Sequence, residues 1–312
     1  MPVPRPRAEH TPKIAVLLAT HNGRRWLPEQ LESILGQSDV DVRVIAMDDG
    51  STDGTPAWLA EQAAAEPRVT VLADDGTGGS AAANFYRLIA TATFAPDELV
   101  AFADQDDLWM PGKLARHASL IEAGNDGVSS NVTAFSADGR RSLIRKSFPQ
   151  REFDYLLESP GPGSTFLVTQ RLITLTRSAL TNGPAASVDY HDWLIYALAR
   201  AHGWSWHIDE ESTVDYRQHD ENAMGANVGT RSAFSRLSLI RERWHRGQAT
   251  LLARIGLAVA ADSVRPGLES MLALFEAHGL RARLALASRS GQLRRRPRDR
   301  RIIGALISTG IW

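Results

Sequence analysis

The chain has no cysteine among its 312 residues. It therefore cannot form disulfides, bind a metal through thiolates or use a cysteine nucleophile, and a reducing, cytoplasmic setting is the default expectation. It also lacks any run of the roughly 18 to 20 apolar residues that a helix needs to cross a bilayer, so no membrane span is expected. Residues 1–12 contain no apolar signal-peptide core, and we predict a disordered leader there.

Acidic residues are scarce at the C-terminal end, although the whole chain has a net charge of only -1. Nine arginines but a single aspartate lie in residues 281–301, and such a stretch contacts an anionic partner or solvent. Residues 231–246 mix arginines with Phe, Leu, Ile and Trp, which is typical of a basic helix at a membrane interface and equally of a solvated helix on a protein surface. No aromatic and basic platform accompanies these arginines, so nucleic acid is not an expected partner.

The pattern of apolar residues favours an α/β fold. Short β-branched runs alternate with segments of helical period, and the strands predicted first are 14–19, 42–47, 69–72 and 99–103. A more mixed part follows, with strands predicted at 128–135, 165–169, 204–208 and 213–217 and a helix at 189–201. We expect a mostly parallel central sheet flanked by helices over residues 13–227, and a helical, arginine-rich appendage over residues 228–312.

Four polar clusters follow predicted strands or open a predicted helix: residues 20–23, 48–51, 104–107 and 191–193. Ligands of such sheets bind at the carboxyl ends of the strands, where these clusters are expected to meet. Aspartates beside an anionic ligand require a cation, and alternation along an extended segment turns Asp104 and Asp106 to one side, away from Gln105. Two nearby aspartates are more often a solvated turn, but four clusters in this order point to a Mg²⁺ or Mn²⁺ site.

Five stretches carry a resemblance to a known family: IAVLLATHNGRRWLPEQLESILGQ, VIAMDDGSTDGT, FADQDDLWMPGKL, HDW and YRQHDENAMGAN. In these stretches the chain resembles the inverting family 2 glycosyltransferases of GT-A fold, particularly their bacterial rhamnosyltransferase-like branch. The resemblance implies transfer of a hexose from a nucleotide diphosphate donor, preferably dTDP-L-rhamnose, to a cell-surface glycan or lipid-linked acceptor. UDP-galactose, UDP-GlcNAc and UDP-galactofuranose stay open as donors.

The resemblance also implies roles for individual residues. By position, the donor would be held by Thr20, Asn22, Asp48, Asp49, Ser51, Asn84, Asp104, Gln105 and Arg217. The metal would be held by Asp104, Asp106 and His219, with Asp107 in support. Ala83 departs from the family, because many members carry an arginine just before the asparagine. Either Asn84 and the glycine backbone suffice here, or another basic residue takes over.

Asp192 would be the general base, because an inverting transfer needs a carboxylate to accept the proton of the attacking hydroxyl. A helix N-terminus would keep Asp192 ionised, although an acid at that position is also an ordinary feature of a helix start. For His219 and Arg217 the alternatives are a surface or packing residue and a surface ion pair. Trp193 is a weaker candidate for a sugar platform, since tryptophans of this kind are more often part of the core.

Two other classes of function are alternatives to a glycosyltransferase. A non-catalytic module that binds glycan or membrane would not need Asp104, Asp106 and Asp192, all of which are present. A phosphotransferase with Asp104 as nucleophile would need a hydroxyl residue shortly after it, and residues 107–109 offer none. We therefore expect a cytoplasmic glycosyltransferase, with the basic C-terminal region as a possible contact to the inner face of the membrane.

Overall fold

The computed structural model describes residues 11–73, 79–219 and 244–312. Most of the predicted leader, the boundary predicted after residue 227 and most of the basic segment 231–246 lie outside these described residues. Among the helices of the described ranges, none combines the length and the apolar character that crossing a membrane requires.

One mixed sheet of nine strands forms the centre of the described chain. The strands are β1 Lys13–Thr20, β2 Asp41–Asp48, β3 Val69–Val71, β4 Leu99–Ala103, β5 Leu108–Trp109, β6 Gly127–Ser136, β7 Arg141–Ile144, β8 Leu167–Val168 and β9 Trp206–Gln218. Their order across the sheet is β3, β2, β1, β4, β8, β6, β9 and β5. The remaining strand, β7, lies outside this order and pairs with β6.

The first four strands are parallel, which places their carboxyl ends at one edge. β1 is a continuous apolar run whose residues 14–18 are fully buried, as expected of a parallel strand covered by helices on both faces. Its register aligns Thr20 with Asp48 on β2 and Leu18 with Ala103 on β4. The polar residues that follow these strands therefore begin at nearly the same level.

Helices cover both faces of the sheet. They are α1 Leu27–Leu35, α2 Thr55–Ala65, α3 Ala81–Thr91, α4 Lys113–Glu122, α5 Gln170–Asn182, α6 His191–Ala201, α7 Trp244–Val259, α8 Arg265–Glu276, α9 Leu280–Ser288, α10 Ser290–Leu293 and α11 Pro297–Thr309. Ser80 caps α3 by accepting a hydrogen bond from the Ala83 N–H at 3.1 Å, so the polar turn before this helix fixes where the helix begins.

The second half of the sheet is mixed, so the prediction of a mostly parallel sheet describes the first four strands. β8 is antiparallel to both β4 and β6, whereas β9 is parallel to β6. The two strands predicted at 204–208 and 213–217 are one long strand, β9, whose pairing with β6 is irregular around Asn131. The two-residue strand β5 pairs with β9, and this pairing brings the segment after β4 against the end of β9.

The predicted C-terminal helical region is confirmed for residues 244–312. α7 packs against α6, and Ala249 and Leu252 of α7 are buried in the same hydrophobic core as Leu198 of α6. Arg295 is also internal: its side chain is 3% exposed and donates to Asp154 Oδ2 at 3.2 Å. At least this member of the arginine-rich stretch therefore has its anionic partner inside the protein.

Candidate active site

The loops that follow β1 and β2 are joined through the carboxylate of Asp48. Asp48 accepts hydrogen bonds from the Thr20 hydroxyl at 2.8 Å, the Ser51 N–H at 2.8 Å and the Ser51 hydroxyl at 2.5 Å. The Ser51 hydroxyl in turn accepts the Asn22 N–H at 2.7 Å. The structure thus brings these four predicted site residues together, and Asp48 holds their loops in one arrangement.

Asn22 and Gln105 shape the same edge of the sheet. Asn22 has a left-handed backbone with φ of 50°, held by its Oδ1, which accepts the Thr52 N–H at 2.8 Å. Gln105 bonds both backbone groups of His21, at 2.7 Å and 2.8 Å. A Cβ at Gly23 would lie 2.2 Å from Gln105 Oε1, so a larger residue there would displace the Gln105 amide. Gln105 therefore connects the β4 segment to the β1 loop.

Asp49 reveals a residue that the sequence analysis missed. Its carboxylate forms an ion pair with Arg87 and accepts the Gly79 N–H at 3.1 Å, and both side chains of the pair are largely buried. Arg87 lies on α3 four residues after Ala83, which is one helical turn from the place where the family's arginine is absent. Arg87 could have been found from the sequence, because residues four apart on a helix, such as Ala83 and Arg87, lie on the same face.

Asn84 lies behind the site. It is 1% exposed, and its amide donates to Met47 O at 3.0 Å and to Thr20 O at 3.3 Å. These bonds fix the start of α3 on the ends of β1 and β2. Asn84 therefore supports the loops from inside the protein and presents little surface to a ligand.

Carboxylates crowd together after β4. Burial raises the pKa of Asp104 to about 7, and the charges of Asp106 and Asp192 push it in the same direction. Asp107 is fully buried, and burial with the neighbouring charges raises its pKa as well. Lys113 is also buried, with its amine 3.3 Å from the centre of the Trp109 ring, and burial lowers its pKa against the opposing charge of Asp107. This site concentrates negative charge that a bound cation would relieve.

The end of β9 meets these carboxylates as predicted. His219 Nε2 lies 2.6 Å from Asp106 Oδ2, and the imidazole stacks on Trp26 with ring centres 5.4 Å apart. Arg217 donates to Asp106 O at 2.9 Å and to Glu29 Oε2 at 2.6 Å. Within the described ranges, no three or more His, Asp or Glu side chains are grouped so as to hold a metal by themselves.

Asp192 lies in the first turn of α6 and is partly buried. Burial raises the pKa of Asp192 to about 6, against the opposing effects of the Ser159 hydroxyl, the Trp193 N–H and the charge of Lys146. The backbone N–H of Trp193 donates to Asp192 Oδ1 at 2.6 Å. The charge of Asp192 is one of those that raise the pKa of the Asp104 carboxyl, so the two side chains lie in the same region of the protein.

The structure corrects the interpretation of Trp193 as a sugar platform. Trp193 is 5% exposed, and its indole N–H donates to Tyr155 O at 2.8 Å inside the protein. On a helix, the residue after Asp192 points about 100° away from it, here into the core. Trp193 is therefore a packing residue.

A mixed sheet with polar loops gathered at its parallel edge, an aspartate pair after the fourth strand and an acid on a facing helix together define a GT-A glycosyltransferase. The family model described as glycosyl transferase family 2 matches residues 15–180, and the chain belongs to that family. The dTDP-rhamnosyl transferase RfbG of Shigella flexneri is 36% identical over 250 residues, which are 79% of this chain and 86% of that protein.

Two solved structures show the same fold. The S. aureus TarS 1–349 complex with UDP-GlcNAc has a TM-score of 0.58 at 16% identity, covering 94% of this chain and 79% of that one. The mannosyltransferase PcManGT from Pyrobaculum calidifontis, in complex with GDP-Man and Mn²⁺, has a TM-score of 0.52 at 18% identity, covering 96% and 85%. The chain is thus a glycosyltransferase with a GT-A fold.

Proposed function

We propose that this protein is an inverting rhamnosyltransferase that uses dTDP-L-rhamnose and a glycan or lipid-linked glycan acceptor. The observation that carries the proposal is the position of Asp192 in the first turn of α6, close enough to the aspartates after β4 for its charge to raise the pKa of Asp104, and with its own pKa raised to about 6. The similarity to RfbG over most of both chains supports rhamnose as the transferred sugar. In this proposal residues 13–227 form the catalytic part and residues 228–312 a helical, arginine-rich C-terminal region, of which residues 244–312 lie within the described part of the chain.

The chemistry follows from Asp192 and the side chains near it. Asp192 accepts the proton of the acceptor hydroxyl, while the oxygen of that hydroxyl forms a bond to the anomeric carbon of the donor sugar. The bond from that carbon to the diphosphate breaks on the opposite face, so the configuration inverts. Thr20, Asn22, Asp49 and Ser51 line the loops that hold the nucleoside, and Arg217 contributes positive charge near the diphosphate.

The residues at the end of β4 fit a divalent metal. Asp106 and His219 supply a carboxylate oxygen and an imidazole nitrogen that already touch, and Asp104 beside them has a pKa raised by burial and by the charges of Asp106 and Asp192. Mg²⁺ and Mn²⁺ bind through few protein ligands when a substrate diphosphate supplies the others, which agrees with the small ligand set here. The bound ion would neutralise charge on the departing diphosphate.

Contact of the C-terminal region with an anionic membrane is part of the proposal. Exposed arginines occur beside exposed apolar side chains on α9 and α11 and near the C-terminus, among them Arg281, Arg298, Arg301, Leu280, Leu284, Ile302 and Ile311. A surface of this composition suits the interface of an anionic lipid bilayer, where a lipid-linked acceptor would be found.

Calorimetric titration of dTDP-L-rhamnose, compared with UDP-hexoses and with and without Mn²⁺, tests the donor and the metal together. We expect Mn²⁺-dependent binding of dTDP-L-rhamnose that is lost in Asp106→Ala and kept in the control variant Asp138→Ala. Asp138 is exposed and pairs with Arg140 in the turn between β6 and β7. Binding of a UDP-hexose alone would change the assigned donor. Failure of every nucleotide sugar to bind would leave a non-catalytic module as the better description.

A further inference from the structure

A cleft of about 380 Å³ opens between α3, the segment before α6 and the start of α7. Its walls include Tyr86 of α3, Asp189 and Tyr190 of the segment before α6, and Trp244 of α7. The volume lies within the range of small-molecule pockets. None of these four residues was assigned a role from the sequence.

The wall formed by Trp244 is held in place. Its indole N–H donates to Asp189 Oδ2, and its ring meets the edge of Tyr190 with ring centres 5.9 Å apart. On the other side it packs against the buried Trp193 at 6.1 Å. Trp244 and Tyr190 are only partly buried, so aromatic surface of fixed orientation borders the cleft.

The cleft borders the segment that leads into α6, and Asp192 lies in the first turn of that helix. Tyr190 precedes Asp192 by two residues, and the Tyr86 hydroxyl donates to Val188 O at 2.8 Å on the same segment. Burial raises the pKa of Tyr86 and Tyr190, and the charges of Asp189 and Asp192 act in the same direction. A molecule in the cleft would therefore lie next to the helix start that carries the base.

The chemistry of the walls selects the occupant. Aromatic surfaces pack against the apolar C–H face of a pyranose, and a carboxylate such as Asp189 accepts hydrogen bonds from its hydroxyls. Two carboxylates, Asp189 and Asp192, would repel a phosphate or an acidic sugar. These features favour a neutral hexose over the charged part of the donor.

We propose that this cleft binds the neutral hexose of the acceptor that receives the transferred sugar, with Trp244 as its platform and Asp189 as its hydroxyl ligand. The proposal rests on the proposed function, because it takes Asp192 as the base. It assigns the C-terminal helical region a part in acceptor choice, since Trp244 comes from that region.

The test uses the full-length protein and a panel of methyl hexosides as probes, with binding followed by saturation-transfer NMR. We expect at least one neutral methyl hexoside to bind wild type, and its affinity to fall about tenfold or more in Trp244→Ala and severalfold in Asp189→Asn. Trp204→Ala is the matched control, a partly buried tryptophan that contacts Arg171 and lies outside the cleft. If Trp244→Ala fails to fold, Trp244→Phe keeps one six-membered aromatic ring and removes the five-membered ring of the indole with its N–H.

Nucleotide-sugar titrations of the same variants separate this proposal from the previous one. We expect Trp244→Ala to bind the donor as wild type does. Hexoside binding that persists in Trp244→Ala, an absence of binding by every hexoside, or a loss of donor affinity in Trp244→Ala would each overturn the acceptor cleft. Failure of wild type to bind any nucleotide sugar, with hexoside binding intact, would instead contradict the proposed function.

Discussion

Replacing Asp192 by asparagine should remove turnover and stabilise the protein at the same time. The amide has nearly the same shape and can still accept the Trp193 N–H, but it cannot take up a proton. We expect the rate of transfer to fall about 100-fold or more, as is usual for loss of a general base, while the affinity for the nucleotide sugar stays unchanged.

The gain in stability follows from the pKa of the carboxyl. Burial raises the pKa of Asp192 from its ordinary value of 3.8 to about 6, so the folded protein holds this proton more tightly than the unfolded chain does. A difference of about two in pKa corresponds to a cost of about 3 kcal/mol when the carboxylate is ionised at pH 7. This cost falls to about 0.5 kcal/mol at pH 4 and disappears at about pH 3, where both states are mostly protonated.

Urea unfolding of wild type and Asp192→Asn at pH 7 and at pH 4 measures this effect. We expect the free energy of unfolding of the variant to exceed that of wild type by up to about 3 kcal/mol at pH 7, and by little at pH 4. Asp138→Asn is the control, because hydrogen bonds from Ser136 and the Arg140 N–H lower the pKa of this exposed carboxyl. Equal stability of Asp192→Asn and wild type at pH 7, or normal turnover by the variant, would refute the reasoning.

Three further predictions concern the same molecule. The kcat/KM of wild type should fall about tenfold per pH unit below about 6, as Asp192 becomes protonated, and a flat profile down to pH 5 would exclude it as the base. Arg87→Met should lower the free energy of unfolding by about 3 kcal/mol and weaken donor binding, because it leaves the largely buried Asp49 carboxylate without its partner; an unchanged urea midpoint would show that the pair is dispensable. Reversing the exposed charges with Arg298→Glu and Arg301→Glu should reduce binding to anionic vesicles and leave the unfolding midpoint unchanged, whereas unaltered vesicle binding would remove the membrane contact.

The parallel half of the fold could be predicted because each of its strands ends where apolar residues give way to polar ones. β1 and β2 extend only one residue beyond each end of the predicted 14–19 and 42–47, and β4 matches its prediction. The two-residue strand β5 could not be predicted, since two residues show no period and their pairing with β9 depends on tertiary structure.

The candidate site, like the fold, has parts that could be predicted from the sequence and parts that could not. Its residue types and order were accessible because the clusters follow strands whose ends must meet. The Arg87 to Asp49 pair joins residues 38 apart in sequence, and only the packing of α3 on the strand ends brings them together. For Trp193 the sequence favoured a core position only as a general tendency of tryptophan, and for Asn84 it gave no sign that the side chain points inward, because a helical pattern gives a period and leaves the direction of each side chain to packing.

The contact between Asp106 and His219 joins residues 113 apart, and His219 follows the last strand of the sheet. During synthesis the loops around Asp48 are therefore complete long before the histidine leaves the ribosome. A chain interrupted before β9 would carry these loops without the histidine proposed as a metal ligand. Such fragments should be inert, and the enzyme becomes competent only when most of its length has been translated.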